Sequence, residues 1–296
     1  MPSLATSPVA PVLGRHAPFR GPARLLINSY ARTRHEPDQS ARNTMTEHGD
    51  VFAANLSSAL EWTLWAFGCF EPHFAELFSL LIRPGDRCVD VGANIGLHTV
   101  RLAKLAGRGG VVTAIEPDPG LARRIERNLL LNDLANVRVV NAAASDKAGP
   151  VTLHRPDPGD PNRARASLHG HSYLTGDAIS VPAVTVDKVC GSERVALIKI
   201  DVEGHEGAVV RGAAGVIGRD APSVVFEYAP DLLDDPAQSP FGWLAEQGYV
   251  MLAVRPARRP VTGRPRLALD RVSEPSPGCG DYAAVTPATA ARLGVA

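Results

Sequence analysis

The sequence predicts an α/β fold in which a mostly parallel sheet carries helices on both faces. Three observations support this prediction. Apolar strand patterns alternate with helical patterns between residues 87 and 254. A turn with two glycines, Gly92 and Gly96, joins the first strand of this alternation to its first helix. Acidic residues lie at or just after the ends of the predicted strands, where parallel sheets bind their ligands.

The composition is that of an ordinary globular protein. Hydrophobic residues make up 45% of the 296 residues and charged residues 21%, and the formal net charge is zero. No basic surplus indicates a nucleic-acid partner. The four cysteines lie far apart without a Cys-x-x-Cys pair, so we predict no structural zinc and a reducing, cytoplasmic location. Because there is no apolar run of about eighteen residues and no secretory signal, we expect no membrane partner.

The chain is predicted to divide into an extension and one domain. Residues 1–45 are rich in Pro, Ser, Ala and Arg and show little periodicity, so we expect a mobile or loosely attached N-terminal extension. Residues 46–296 are predicted to form a single domain. It comprises a helical lead-in at 50–83, a core at 84–254, and a C-terminal loop with the last strand at 255–296.

The elements of this domain follow from periodicity and turn residues. Two helices are expected in the lead-in, the second beginning at Glu71-Pro72, and we expect them to roof the ligand pocket. Seven strands are predicted at residues 87–91, 111–115, 137–142, 196–200, 223–226, 249–254 and 282–285. Helices are predicted to end near 105 and to cover 119–132, 206–217 and 240–247. An inserted hairpin is predicted at 151–154 and 179–186 around a loop at 155–177, and a second loop at 255–280.

The stretch Cys88–Val100 has the pattern of a buried strand, a tight turn and a helix start. Gly92 can adopt a positive φ and let a ligand approach the backbone closely. The first turn of the helix offers free N–H groups and the positive end of a dipole. The stretch therefore predicts a nucleotide- or nucleoside-binding turn, although its G-x-x-x-G spacing differs from the dinucleotide and P-loop motifs.

Two acids beyond this turn suit a bound nucleoside. Glu116 ends the second strand about twenty residues later, where an acid can accept hydrogen bonds from both ribose hydroxyls. The alternative is a surface acid in a strand-to-helix turn. Asp146 follows the third strand and could accept the amino group of an adenine. Its alternative is an Asx-turn residue.

A second polar cluster follows the fourth strand. Asp201, Glu203, His205 and Glu206 lie within a few residues of each other, and such groups are costly to bury without partners. The cluster suggests cation recognition, proton transfer or hydrogen bonding to hydroxyls. The alternative is that Glu203 and Glu206 only cap the next helix. One His without a second one nearby argues against a metal, and none is predicted.

Four motifs together resemble the FkbM family of S-adenosylmethionine-dependent methyltransferases. They are Val89-Asp90-Val91-Gly92-Ala93-Asn94-Ile95-Gly96-Leu97-His98-Thr99, Glu116-Pro117, Pro182-Ala183-Val184-Thr185-Val186-Asp187 and Ile198-Lys199-Ile200-Asp201-Val202-Glu203-Gly204-His205-Glu206. The combination is specific, whereas each motif alone is a weak signal. The resemblance covers residues 68–254 and, less clearly, the last strand.

The resemblance implies a class I methyltransferase fold, a seven-stranded and mostly parallel sheet whose last strand is antiparallel. It also implies S-adenosylmethionine as methyl donor and an oxygen atom as the usual acceptor. The residues implied around the methionine part of the donor are Asp90, Gly92, Asn94, Gly96 and Thr99. By the same resemblance, Glu116 would hold the ribose, and Ser145 and Asp146 would lie beside the adenine.

The acceptor side is implied to follow the fourth and fifth strands. Asp201 would face the methionine amino group or the acceptor, and the residues implied to border the acceptor are Glu203, His205, Glu206 and Glu227. A hydroxyl acceptor needs a base for its proton. His205 is the first candidate, because its unperturbed pKa of about 6.5 is near neutrality, and Asp201 is the second. The alternative for His205 is a packing or helix-capping role.

The sequence thus predicts an S-adenosylmethionine-dependent enzyme that methylates a hydroxyl of a small molecule or glycan. Two alternatives are an RNA or protein methyltransferase on the same fold and a non-catalytic partner protein that only binds the cofactor. Zero net charge argues against RNA. A module freed of catalysis would not need Asp201 and His205, which argues against the second alternative.

Overall fold

A computed structural model describes residues 41–157, 159–160, 165–228, 239–258, 265–276 and 278–295. The strands are β1 (Ala41–Met45), β2 (Val51–Asn55), β3 (Arg87–Val91), β4 (Val111–Ile115), β5 (Val137–Val140), β6 (Ala143–Ala144), β7 (Gly149–His154), β8 (Ala178–Val184), β9 (Leu197–Ile200), β10 (Ser223–Glu227), β11 (Val250–Arg258), β12 (Pro265–Arg271) and β13 (Asp281–Val285). The helices are α1 (Ala59–Phe67), α2 (Pro72–Leu81), α3 (Leu97–Ala106), α4 (Pro119–Leu131), α5 (Val186–Cys190), α6 (Glu206–Arg211), α7 (Ala214–Asp220), α8 (Pro240–Glu246) and α9 (Pro287–Arg292).

An eight-stranded sheet forms the centre of the fold, in the order β12-β11-β13-β10-β9-β3-β4-β5. The strands from β10 to β5 are parallel to one another, and β13 is antiparallel to both of its neighbours. This arrangement confirms the predicted class I methyltransferase fold, including its antiparallel last strand. The carboxyl ends of β3, β4, β9 and β10 therefore meet at one edge of the sheet.

The eighth strand, β12, is a correction to the predicted loop at 255–280. Strand β11 runs on to Arg258, and β12 pairs with it in antiparallel register. The Arg- and Pro-rich composition hid an alternation, since Leu267 and Leu269 both pack on the apolar cluster that helix α2 shares with the sheet. The backbone N–H of Leu267 donates to Glu76 on α2 at 2.8 Å, which fixes the new edge to that helix.

Helices cover both faces of the sheet. Buried side chains of α5, α6, α7 and α8 pack on one face, against Val89, Ile198 and Phe226 among others. Helices α2, α3 and α9 pack on the other, around Val112 and Leu252. The helix predicted at 206–217 is split at Gly212-Ala213 into α6 and α7. None of the described helices has the length and apolar character needed to cross a bilayer.

The inserted hairpin predicted at 151–154 and 179–186 is present as β7 and β8, which pair antiparallel. The third strand was predicted to reach residue 142 but ends at Val140, because the chain turns at Asn141. The Asn141 side chain donates to the carbonyls of Glu116 and Pro117 at 2.8 and 3.0 Å. Strand β6 then pairs with β8 in a separate three-stranded sheet.

The segment before the core forms a small roof, defined here as residues 41–67, over one edge of the sheet. Strands β1 and β2 pair antiparallel and α1 follows them. The predicted extension at 1–45 is therefore wrong over Ala41–Met45, and residues 1–40 lie outside the described part of the chain. The two helices predicted in the lead-in are confirmed, with α2 beginning at Pro72, but residues 51–55 form a strand.

Side chains of α4 hold the roof in place. Asn128 and Asn132 accept the backbone N–H groups of Ala53 and Val51 at 3.0 and 2.9 Å. Asn132 and Arg124 donate to the carbonyls of the same two roof residues at 2.7 and 3.0 Å. Because Arg124, Asn128 and the C-cap residue Asn132 are spaced by four, they lie on one face of the helix and satisfy the free edge of β2.

Candidate active site

A cavity of about 570 Å³ opens at the carboxyl ends of β3, β4, β9 and β10. Residues that end these strands line it, together with roof residues at the start of α1 and with residues 165–173 of the long loop. Cavities of about 300–1,000 Å³ are typical for small-molecule and cofactor sites. Its position is the one that the parallel sheet predicts for a ligand.

The glycine turn after β3 forms one wall. Gly92 has a φ of 73°, and a Cβ atom there would lie 1.7 Å from the carbonyl oxygen of Asp201. Only glycine therefore allows the turn to approach the end of β9. Asn94 also has a positive φ, 53°, and its backbone N–H donates to the carboxylate of Glu116 at 2.7 Å. Gly96, with a φ of 84°, precedes helix α3.

Glu116 at the end of β4 is buried and lines the cavity. Its two oxygens accept the backbone N–H groups of Asn94 at 2.7 Å and Asp118 at 2.9 Å. Burial raises the pKa of Glu116 to about 8, although both hydrogen bonds oppose the rise. A carboxyl group with this pKa is mainly protonated at neutral pH, and beyond the two N–H groups it still has one O–H donor and free lone pairs for a vicinal diol such as that of a ribose.

Asp90 and Thr99 lie beneath the glycine turn and do not line the cavity, contrary to the predicted contacts with the donor. Both are fully buried, and the Thr99 hydroxyl donates to Asp90 at 2.5 Å. The second oxygen of Asp90 faces Lys199 at 3.6 Å. Because strand side chains alternate between faces, Asp90 and the neighbouring Val91 point to opposite sides of the sheet. These residues therefore support the turn from below.

The adenine side is also corrected. Ser145 and Asp146 do not line the cavity, because β6 turns them towards α6. The Ser145 hydroxyl lies 2.9 Å from Nε2 of His205, and Asp146 pairs with Arg211 at 3.6 Å. The apolar residues that line the cavity in this part of the structure are Ile115, Pro117, Leu121, Ala143, Ala144 and Leu153. An apolar wall of this kind suits the flat face of an adenine ring.

Of the four acids predicted on the acceptor side, three line the cavity and one does not. Asp201, Glu203 and Glu227 are part of its wall. Glu206 is buried behind it and accepts the backbone N–H of Gly204 at 3.0 Å. Burial raises the pKa of Glu206 to about 7. Glu206 therefore holds the turn that precedes α6, and it neither borders the cavity nor accepts an N–H group of the helix as the capping alternative requires.

The charge state of the two acceptor-side glutamates is set by their surroundings. Burial, with repulsion from Asp201, raises the pKa of Glu203 to about 7. Desolvation by the walls of the cleft, with repulsion from Asp201 and Glu203, raises the pKa of Glu227 to about 9. Glu227 is exposed at the end of β10, so solvent screens part of this rise, whereas Glu203 is half-buried and about half ionised at neutral pH. The two groups therefore suit different tasks.

His205 lines the cavity but is poorly placed as the predicted base. Burial, together with the neighbouring His169, lowers the pKa of His205 to about 4, so it is a weak proton acceptor at neutral pH. Both ring nitrogens already have partners. Nε2 faces the Ser145 hydroxyl at 2.9 Å, and Nδ1 faces Nε2 of His169 at 3.3 Å. The packing alternative therefore fits His205, which ties the long loop to α6.

Several lining residues were missed by the sequence analysis. Lys199 lies within β9, two residues before Asp201, and was given no role in the site. Glu71 was predicted only as the start of a helix. The Glu71 carboxylate lies 3.0 Å from Nε2 of His98, and both residues line the cavity. The loop residues Arg165, Leu168 and Tyr173 gave no periodic signal, because nothing in an irregular segment indicates which side chains turn inward. Among the described residues, no group of three or more His, Cys, Asp or Glu side chains is arranged to hold a metal ion.

The sequence was compared with models of known protein families. Residues 90–251, more than half of the chain, match the model of the Methyltransferase FkbM domain. The chain belongs to the FkbM family. This FkbM chain therefore carries the methyltransferase domain of that family, as the sequence motifs implied.

The individual relatives of this FkbM protein are distant. Methyltransferase sdnD of Sordaria araneosa is 29% identical over 48% of this chain and 65% of its own length. Protein-L-isoaspartate O-methyltransferase 1 of Archaeoglobus fulgidus is 32% identical over 23% of this chain and 33% of its own length. The chain thus spans less than two thirds of each curated relative. The solved structure of methyltransferase FkbM from Methylobacillus flagellatus KT is 16% identical, with coverage of 79% of this chain and 56% of that chain and a TM-score of 0.44.

The residues that line the cavity could bind each part of S-adenosylmethionine. Glu116 has acceptor capacity for the ribose, and the wall around Ala143 and Ala144 is apolar. Asp201 beside the glycine turn supplies a negative charge for an ammonium group, while the first turn of α3 supplies free N–H groups for a carboxylate. The cavity thus offers a partner for the ribose, the adenine, the ammonium group and the carboxylate of the molecule.

Glu116→Gln is expected to weaken the binding of S-adenosylmethionine by about 10–100-fold, because the amide replaces one acceptor oxygen by an NH₂ donor and a buried donor left without a partner costs roughly 1–3 kcal/mol. Isothermal titration calorimetry measures the change. The control is Glu126→Gln, an exposed acid on α4 that does not line the cavity, and its affinity should equal that of the parent. Parental affinity in Glu116→Gln would refute the ribose assignment.

Proposed function

We propose that this methyltransferase acts on an oxygen atom, in the simplest case a hydroxyl, of a small molecule or a sugar. One observation carries the proposal. The Glu203 carboxylate lines the cavity next to Asp201, and its pKa of about 7 suits a group that must take a proton at neutral pH. A hydroxyl is an acceptor that loses a proton when it is methylated, and the acceptor site therefore needs such a base.

The residues would divide the reaction as follows. Bound S-adenosylmethionine supplies a methyl group that is already activated by a sulfonium charge. The cavity walls hold the acceptor oxygen in line with the methyl–sulfur bond, and positioning of this kind can contribute roughly 7–11 kcal/mol. Glu203 would take the proton that the hydroxyl loses when the methyl group passes from the donor sulfur to the acceptor oxygen. The carboxylate charge and the sulfonium charge are thus neutralised in the same step.

Glu227 complements Glu203. Desolvation, together with repulsion from Asp201 and Glu203, raises the pKa of Glu227, which favours its protonated form, and that form can donate a hydrogen bond. It can therefore orient a second oxygen atom of the acceptor while Glu203 accepts the proton of the first. An acceptor with neighbouring oxygens, such as a sugar or a polyhydroxylated natural product, fits this pair of groups.

The enclosure of the cavity supports a small acceptor. Leu60 and Thr63 of the roof and Leu168 and Tyr173 of the long loop line the same space as the glycine turn. A small acceptor would therefore share a cavity of about 570 Å³ with the donor. The formal net charge of zero also gives no support to a nucleic-acid acceptor. One curated relative is named as an O-methyltransferase, which agrees with an oxygen acceptor.

The test is a panel of acceptors read out as release of S-adenosylhomocysteine. We expect turnover with glycosides or polyketides and none with RNA or folded proteins. Turnover only with RNA or protein would replace the proposal by the macromolecular alternative. Binding of S-adenosylmethionine without turnover on any class would favour the non-catalytic alternative, and calorimetry with donor and product separates this case from a failure to bind.

A further inference from the structure

Lys199 is an almost fully buried cation at the junction of the glycine turn and β9. Only 4% of the residue is exposed. Its Nζ atom lies 3.2 Å from the Asp201 carboxylate, 3.5 Å from the carbonyl oxygen of Gly92 and 3.6 Å from the Asp90 carboxylate. A single side chain therefore connects the turn, the strand beneath it and the acid that follows β9.

The ammonium group is directed mainly at protein oxygens. Among the described residues, Nζ donates hydrogen bonds to Asp201 and to the carbonyl of Gly92, while Asp90 at 3.6 Å is an ion-pair partner. Burial by itself lowers the pKa of Lys199, but attraction by Asp201 and Asp90 outweighs it and raises the pKa above its ordinary value. The side chain is thus charged at neutral pH and tied to both carboxylates.

The two carboxylates beside Lys199 have different access to the cavity. Asp90 is fully buried and also accepts the Thr99 hydroxyl. The Asp201 side chain is 34% exposed and lines the cavity, and its backbone N–H donates to Val91 at 3.0 Å. One buried cation between two carboxylates leaves a net charge of −1, and Asp201 is the group that presents it to the cavity.

We propose that Lys199 is a positioning residue that holds the Asp201 carboxylate beside the glycine turn, where it receives the ammonium group of S-adenosylmethionine. Lys199 lines the same cavity, but in this proposal it acts on the donor through Asp201. The proposal depends on S-adenosylmethionine as donor but not on the identity of the acceptor. It predicts that Lys199 matters for ligands that carry the amino-acid tail and not for those that lack it.

The experiment measures binding of two ligands by calorimetry, without turnover. S-adenosylhomocysteine carries the amino-acid tail, whereas 5′-methylthioadenosine has the same nucleoside and thioether without it. Because Lys199→Met alone would leave Asp90 buried and unpaired, the comparison is made between Asp90→Asn and the double variant Asp90→Asn/Lys199→Met. Thermal unfolding checks that both proteins fold.

In the double variant, we expect the affinity for S-adenosylhomocysteine to fall by about 10–100-fold relative to Asp90→Asn, while the affinity for 5′-methylthioadenosine is unchanged. Equal losses for both ligands would overturn the proposal, since they would mark a purely structural role. Unchanged affinity for both ligands would also overturn it. Neither result bears on the proposed hydroxyl acceptor, which is absent from the experiment.

A second comparison tests whether Lys199 acts through Asp201. In the Asp90→Asn background, Asp201→Asn should reproduce the loss of affinity for S-adenosylhomocysteine. Adding Lys199→Met to Asp201→Asn should then cause little further loss, because two residues that act through one contact are not additive. Fully additive losses would show that Lys199 acts on the donor by another route and would overturn the proposal.

Discussion

Gly92→Ala is expected to abolish measurable binding of S-adenosylmethionine. The new Cβ atom would lie 1.7 Å from the carbonyl oxygen of Asp201, so the end of β9 and the glycine turn would have to separate. That movement displaces the Asp201 carboxylate and the N–H groups at the start of α3 together. The positive φ of 73° adds strain of about 1–3 kcal/mol for a residue with a side chain.

A matched control separates the collision from the strain. Gly248 has a similar φ of 83°, but a Cβ atom there meets nothing within 4 Å. Gly248→Ala should therefore lose about 1–2 kcal/mol of unfolding free energy and keep its affinity for the donor. Calorimetry and chemical denaturation measure both quantities. Normal donor affinity in Gly92→Ala would contradict the close approach of the turn to β9.

Glu203→Gln is expected to lower kcat by about 10²–10⁴-fold once an acceptor is known, because general base catalysis contributes factors of that size. The sign of the pH dependence follows from the pKa of Glu203, which is raised to about 7. The base works only when ionised, so the wild-type rate should rise with pH through this value and level off above it. The variant should lose this ionisation from its pH–rate profile.

The control for this profile is Glu206→Gln. Burial gives Glu206 a similar pKa of about 7, but its side chain lies behind the cavity wall. A glutamine there can still accept the Gly204 N–H, so the turn should be kept. We expect the ionisation near neutrality to persist in Glu206→Gln. If it disappears there and persists in Glu203→Gln, the base has been assigned to the wrong glutamate.

The part of the site that could be predicted from the sequence is the part fixed by the backbone. A parallel strand followed by a turn and a helix places Gly92 and Asn94 at the ligand edge, and the next strand places Glu116 beside them. Asp201 followed from the same rule. In each case the position along a strand end determines what the residue can reach, so no tertiary information was needed.

The wrong predictions at the site arose because the position of a residue at a strand end does not determine the direction or the surroundings of its side chain. Ser145 and Asp146 follow a strand as expected, but pairing of β6 with β8 rotates them away from the cavity. His205 is close to the site, yet burial and two ring partners change its chemistry. Lys199 was hidden for a related reason, because a lysine inside an apolar strand has a meaning only once its partners are known.

The roof is attached to α4 in a way that leaves its sequence free to vary. The α4 residues Arg124, Asn128 and Asn132 grip β2 mainly through its main-chain N–H and C=O groups. Contacts of that kind do not read the identity of the side chains in the strand that they hold. The outward residues of the roof can therefore be exchanged without remaking its anchorage, and a grafted roof from another family member could alter acceptor choice on an unchanged methyl-transfer core.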